Sequence, residues 1–147
     1  MNDPLPKKSN LWMAAIVFAS NFIFLLAAGV VSAAIVYFTP SITPIIPVIL
    51  SYAALVFSTW YAVRYIDNRA KITEKNIIPV AVMAVAPVVA SQVFAIGASL
   101  NRLAPGGLLA INLGVAVSNL VISFFVRDAV TVFSIFAFMR NAISKKD

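Results

Sequence analysis

Few side chains in this sequence could do chemistry, and those that could are grouped. Arg127 and Asp128 stand side by side in SFFVRDAVTVFSIF, a stretch from Ser123 to Phe136 that is otherwise apolar or weakly polar. Inside a membrane such charges mark ion paths, proton relays or counter-charges for a ligand; at its edge they mark only where a helix leaves. Around them Asn112, Ala116, Asn119, Ser123, Arg127, Thr131 and Ser134 recur every three or four residues, which places them on one helical face. Pro87 forms a second group with Ser91 and Gln92. A proline inside a helix frees the carbonyl four residues earlier, here Met83, and an amide one turn further on gives the makings of a hinge or pocket. Asn21 shares a face with Ala28 and Ser32, and Ser58 with Ser51 and Tyr65.

The rest of the composition excludes much. Cysteine and histidine are absent. Thiol nucleophiles, thiolate or imidazole metal sites and the usual general base near neutral pH are therefore missing. Only five acids occur, Asp3, Asp67, Glu74, Asp128 and Asp147. The expectation is a protein that is not an enzyme and has no metal and no cofactor. The net charge of +6 does not point to nucleic acid, because the basic residues bracket apolar runs instead of forming a patch.

These groups have to be positioned by apolar elements. Hydrophobic residues make up 62% of the chain and charged ones 11%, against about 45–50% and roughly 25% in soluble domains. Such a chain lacks the polar surface to cover itself in water, so the lipid bilayer is part of its solvent. A span needs about 20 residues to cross ~30 Å of hydrocarbon, and four apolar segments qualify. They run over about 11–38, 44–63, 77–100 and 108–126, within a single membrane domain 1–147 whose residues 1–10 form a tail. Thr39-Pro40 ends the first, Thr43 and Pro44 suit the start of the second, and Asn76 could cap the third. Pro105-Gly106-Gly107 separates the third from the fourth. The small residues at Val31–Ala34 resemble a signal-peptide cleavage site, but the apolar run continues too far past them.

Lysine and arginine in short loops set orientation. Lys7 and Lys8 precede the first span; Arg64, Arg69, Lys71 and Lys75 lie between the second and third; Arg127, Arg140, Lys145 and Lys146 follow the fourth. Only Arg102 falls on the other side. Both termini are thus expected in the cytoplasm, with the bacterial inner (plasma) membrane as the location. Trp12, Trp60, Tyr61 and Tyr65 fall at the cytoplasmic ends of their spans, as interfacial aromatics do.

The expected fold class is an all-α integral membrane protein, a four-transmembrane-helix bundle whose fourth helix is long or extended by an interfacial segment. Two registers compete for that helix. A span over 108–126 leaves Arg127 and Asp128 at the boundary and residues 127–147 as a cytoplasmic-side apolar extension. A span over 114–139 puts the pair near the bilayer centre. Each charge there costs roughly 2.5–3.5 kcal/mol, and neighbours about 100° apart on a helix neutralise each other poorly. The boundary register is favoured, unless a second copy supplies counter-charges.

In size and span count the chain resembles the small multidrug resistance transporters. That family depends on an acidic residue in the first span, where this chain offers Asn21. The layout also resembles, in outline, four-span immunity proteins against pore-forming toxins. The small-residue stripes Ala110-Gly114-Ser118 and Ser91-Ala95-Ser99 suit close helix packing. The expected function is therefore that of a non-enzymatic accessory subunit or helix–helix interaction protein, with a membrane-protein partner or self-association. The alternative is a small-solute permease or channel-like homo-oligomer using the polar faces, and an immunity-type role ranks below both. The residues for either pathway or interface are Asn21, Pro87, Ser91, Gln92, Asn112, Asn119, Ser123, Arg127 and Asp128.

Overall fold

A computed structural model describes residues 6–39, 45–101 and 107–145, with side-chain detail for these apart from 95, 97–101 and 107–120. All four elements are helices: α1 (Asn10–Phe38), α2 (Ile45–Asp67), α3 (Glu74–Asn101) and α4 (Gly107–Ser144). Each contains a stretch long and apolar enough to cross a membrane.

Local chemistry sets the described helix ends. Ser9 caps α1 by accepting a hydrogen bond from the Trp12 backbone N–H at 3.2 Å, the usual work of an N-cap serine. At the other end Thr39 turns both its backbone N–H and its hydroxyl to the Ile35 carbonyl. Helix α3 begins at Glu74, three residues before the apolar run, so Asn76 sits in its first turn rather than at its cap. From there its Oδ1 accepts from the Thr73 backbone N–H at 2.9 Å and from the Thr73 hydroxyl at 2.6 Å. A side chain at the third helical position reaching back to the N-cap backbone is the logic of a capping box. Thr43 and Pro44, expected to start α2, lie outside the described residues, as do Pro105 and Gly106.

The helices form a square in which α1 and α4 each touch α2 and α3. Consecutive helices α2 and α3 therefore stand on a diagonal, and the connection between them must pass across the end of the bundle. Its residues Ala70 and Ile72 are buried there and join the core. That core consists of Met13, Ala14 and Val17 from α1, Ala62, Val63 and Ile66 from α2, Ile77, Val80, Ala81 and Ala84 from α3, and Ile135 and Met139 from α4. The Nδ2 group of Asn76 donates to Asn10 Oδ1 at 2.6 Å, tying the starts of α1 and α3 together at the same end. The start of α1, the end of α2, the start of α3 and the end of α4 thus gather at one end of the bundle.

Among the described residues, burial is confined to that half. Among the described residues no side chain is buried beyond Asn21 in α1, before Leu55 in α2, beyond Gln92 in α3 or before Thr131 in α4. The second half of α4 is part of this packed region. Residues 129–144, within the 127–147 segment expected as an extension beyond the fourth span, continue α4 without a break at Arg127 and supply Thr131, Ile135 and Met139 to the interior. Phe138, Ala142 and Ile143 pack against the same core. The chain's own helices cover one face of this apolar segment, while Phe133 and Phe136 stay exposed on the other.

Candidate functional site: a polar-floored cavity among four helices

Beyond the packed core, polar side chains are stacked at two levels. The lower level is a clasp between α1 and α2. Asn21 Oδ1 accepts from the Ser58 hydroxyl at 2.5 Å and from the Thr59 hydroxyl at 3.1 Å. Both hydroxyl residues are fully buried and Asn21 nearly so. The Ser20 hydroxyl adds a bond to the Ser58 carbonyl at 3.0 Å. Ser58 carries one proton but has two acceptors, since the Leu55 carbonyl in its own helix also lies 3.0 Å away. In an apolar setting hydroxyls and amides of this kind have nowhere else to turn, so they pair across the helix contact.

The upper level joins α3 to α4. Gln92 is buried, and its Nε2 donates to Asp128 Oδ1 at 3.1 Å. The Thr131 hydroxyl returns to the Arg127 carbonyl, and the Ser91 hydroxyl to the Val88 carbonyl. Arg127 and Asp128 are both partly buried. Neither has an ion-pair partner among the described residues, and successive residues on a helix diverge by about 100°.

Between the two levels lies a cavity of about 420 Å³. All four helices contribute to it. Its polar groups are Asn21, Ser91, Gln92, Arg127, Asp128 and Thr131, and its walls are apolar, with Phe18, Phe22 and Phe124 the largest side chains. Phe22 is 61% exposed, and Pro87 and Ser91 across from it on α3 are exposed too. These residues line a lateral mouth between α1 and α3. The volume falls within the ~300–1,000 Å³ of small-molecule sites, which are also mostly apolar with a few convergent polar groups.

Of the residues singled out in the sequence, Asn21, Pro87, Ser91, Gln92, Arg127 and Asp128 line this one cavity. Ser123 is exposed and not among its lining residues. The side chains of Asn112 and Asn119 lie outside those described. Ser58 was legible only as a hydroxyl on a weakly polar face, Thr59 was not singled out, and neither was marked as a partner of Asn21. Phe18 and Phe22, four residues apart on α1, carried no signal beyond apolarity.

A belt of cation–aromatic pairs marks the packed end. Lys8 lies over the Trp12 ring at 5.9 Å, Arg64 over Trp60 at 5.5 Å and Arg69 over Tyr65 at 4.4 Å. In each pair the two residues are four apart, a spacing the sequence could have revealed. Trp60 and Phe138 line a second, shallower pocket together with Arg64, Asn141 and Lys145, so they share a level along the bundle. From Phe138 back to Asp128 is ten residues of α4, or roughly 15 Å at 1.5 Å per residue.

The chain matches no protein-family model, no curated protein and no solved structure. The likeness to small multidrug resistance transporters and to immunity proteins therefore rests on size and span count alone.

Proposed function

We propose that this chain is a non-enzymatic, multi-pass protein of the bacterial inner membrane that binds a small amphipathic solute in its intramembrane cavity and acts as a small-solute permease or channel-like protein. The observation that carries the reading is the convergence of six polar or helix-breaking candidates from α1, α3 and α4 on one cavity. Packing alone needs polar groups in pairs, as in the Asn21–Ser58–Thr59 clasp. It does not need a charged residue and a buried amide to share a void with the open side of a second helix.

The cation–aromatic belt supports an orientation with its end in the cytoplasm. Trp and Tyr favour the headgroup level, and basic residues accumulate on the inner side. If Trp60 marks that level, Asp128 lies roughly 15 Å deeper, at the middle of a ~30 Å hydrocarbon layer. That placement is the central register for α4. What makes it tolerable is the cavity, because intramembrane charges face the bundle interior or a hydrated space rather than lipid. The accessory or interaction role retains one supporting feature, the apolar outer faces of α1 and α4 in the open half, where Leu26, Val30, Ile122 and Phe125 are exposed. Lipid serves those faces equally well.

The test is a thermal-shift screen of the purified protein against a panel of small amphipathic solutes, repeated with Val88→Trp. Val88 is a half-buried wall residue, and an indole there takes up volume in the cavity while leaving every polar lining residue in the sequence. Solutes that stabilise the wild type should lose their effect in the variant, which should stay folded and monodisperse. Stabilisation that survives Val88→Trp unchanged would remove the cavity from the account.

A further inference from the structure

We infer that the cavity's ligand is a zwitterion, a molecule carrying an ammonium and a carboxylate or phosphate on an apolar body. This rests on the cavity being a ligand site, as proposed above, and goes on to the charge of what fills it. The cavity is lined by one basic and one acidic side chain, Arg127 and Asp128, on successive residues of a single helix. They point about 100° apart, so they do not cancel each other. Among the described residues no other acid or base lines the cavity. Asp128 has a neutral donor, Gln92 Nε2, which holds the carboxylate in place but leaves its charge uncompensated.

Uncompensated charges in a low-dielectric site are costly, and removing one partner of a buried pair costs more than never having the pair. A cationic ligand would answer Asp128 and leave Arg127 facing a second positive charge. An anionic ligand would do the reverse. A neutral ligand would leave both charges as they were. Only a ligand with both charges compensates both, with its anionic group toward the Arg127 guanidinium and its ammonium toward Asp128. Arginine suits carboxylate and phosphate by its planar fork of donors. The rings of Phe18, Phe22 and Phe124 supply faces for the apolar body, and an ammonium near a ring face is also attracted. The lateral mouth beside Phe22, Pro87 and Ser91 would admit such a molecule from the bilayer's side.

The experiment is calorimetric titration of the purified protein in nonionic detergent with three probes sharing one body. L-phenylalanine is the zwitterion, L-phenylalaninamide the cation and N-acetyl-L-phenylalanine the anion. The expected result is at least tenfold tighter binding of the zwitterion than of either relative. Two variants then move the preference in opposite directions. Arg127→Gln should bring phenylalaninamide level with or above phenylalanine, and Asp128→Asn should do so for the N-acetyl compound. Because each variant gains a ligand, misfolding cannot mimic the outcome. Binding that depends on Val88 but follows no charge order, or an order that neither variant changes, overturns the zwitterion inference and leaves the cavity reading standing. Absence of any Val88-dependent ligand, in this series and in the wider panel, overturns both. Repeating the titration with added phosphatidylethanolamine distinguishes two sources of the same chemistry. Competition marks a lipid headgroup as an occupant and its absence marks a free solute; either supports the inference.

Discussion

Replacing Asn21 by alanine removes the acceptor of two interhelical hydrogen bonds, those from Ser58 and Thr59. Interhelical hydrogen bonds within membranes average about 0.6 kcal/mol and reach about 1.7, so the loss should be about 1–2 kcal/mol. The two donors are not equivalent. Ser58 can turn its proton to the Leu55 carbonyl, whereas Thr59, 0% exposed, loses its described acceptor. Double-mutant cycles should therefore give a coupling near 0.6 kcal/mol or more for Asn21→Ala with Thr59→Val, and a smaller one with Ser58→Ala. Ser32 is the control on the same helix. The residue is only partly buried, but its hydroxyl oxygen is shielded and has no hydrogen-bond partner among the described residues, so Ser32→Ala should be neutral or stabilising by up to about 1 kcal/mol. Reversible unfolding of the purified protein in mixed micelles, followed by circular dichroism, measures all of these. An Asn21→Ala cost below that of Ser32→Ala, or no coupling to Thr59, would refute the clasp as the join between α1 and α2.

Met139 is fully buried and Phe125 is 75% exposed. Between helices in lipid the stabilisation is packing rather than transfer from water, so Met139→Ala should cost about 1–3 kcal/mol through the void it leaves, while Phe125→Ala changes the same unfolding midpoint little. Asn76→Ala removes the reach-back to Thr73 and the bond to Asn10. It should cost about 1 kcal/mol and speed amide exchange at the start of α3, read by hydrogen-exchange mass spectrometry. Pro87→Ala restores a backbone donor to the Met83 carbonyl. It should leave stability equal or higher while weakening solute-dependent thermal shifts at the mouth.

Much of the fold was legible. Uninterrupted apolar length gave four helices, and Thr39-Pro40 gave the end of α1 because a proline disfavours helix in the residue before it. A long fourth helix was legible; what its second half packs against was not. The helix runs through Arg127 and Asp128 because the backbone ladder does not depend on side-chain polarity, and Thr131, Ile135 and Met139 enter the interior. The stripe through Ser123, Arg127 and Thr131 is periodic in the sequence, and of the three Arg127 and Thr131 reach the cavity. Periodicity fixes a face but not what it meets, so neither the Gln92–Asp128 bond nor the cavity could follow from it. The same holds for Asn21, which the sequence marked as polar without showing that Ser58 and Thr59 stand opposite. The crossing of the bundle's end by Ala70 and Ile72 was hidden inside a loop dominated by charge.

Arg127 and Asp128 at mid-bilayer depth are what the proposed solute site needs most, and the absence of cysteine makes that depth directly measurable. Single cysteines placed at 127 and 140 in inner-membrane vesicles of known orientation are treated with a membrane-impermeant maleimide from the cytoplasmic face. Rapid labelling is expected at 140, an exposed position, and none at 127. Labelling at 127 as fast as at 140 would place the pair at the membrane boundary and contradict a charged cavity within the bilayer.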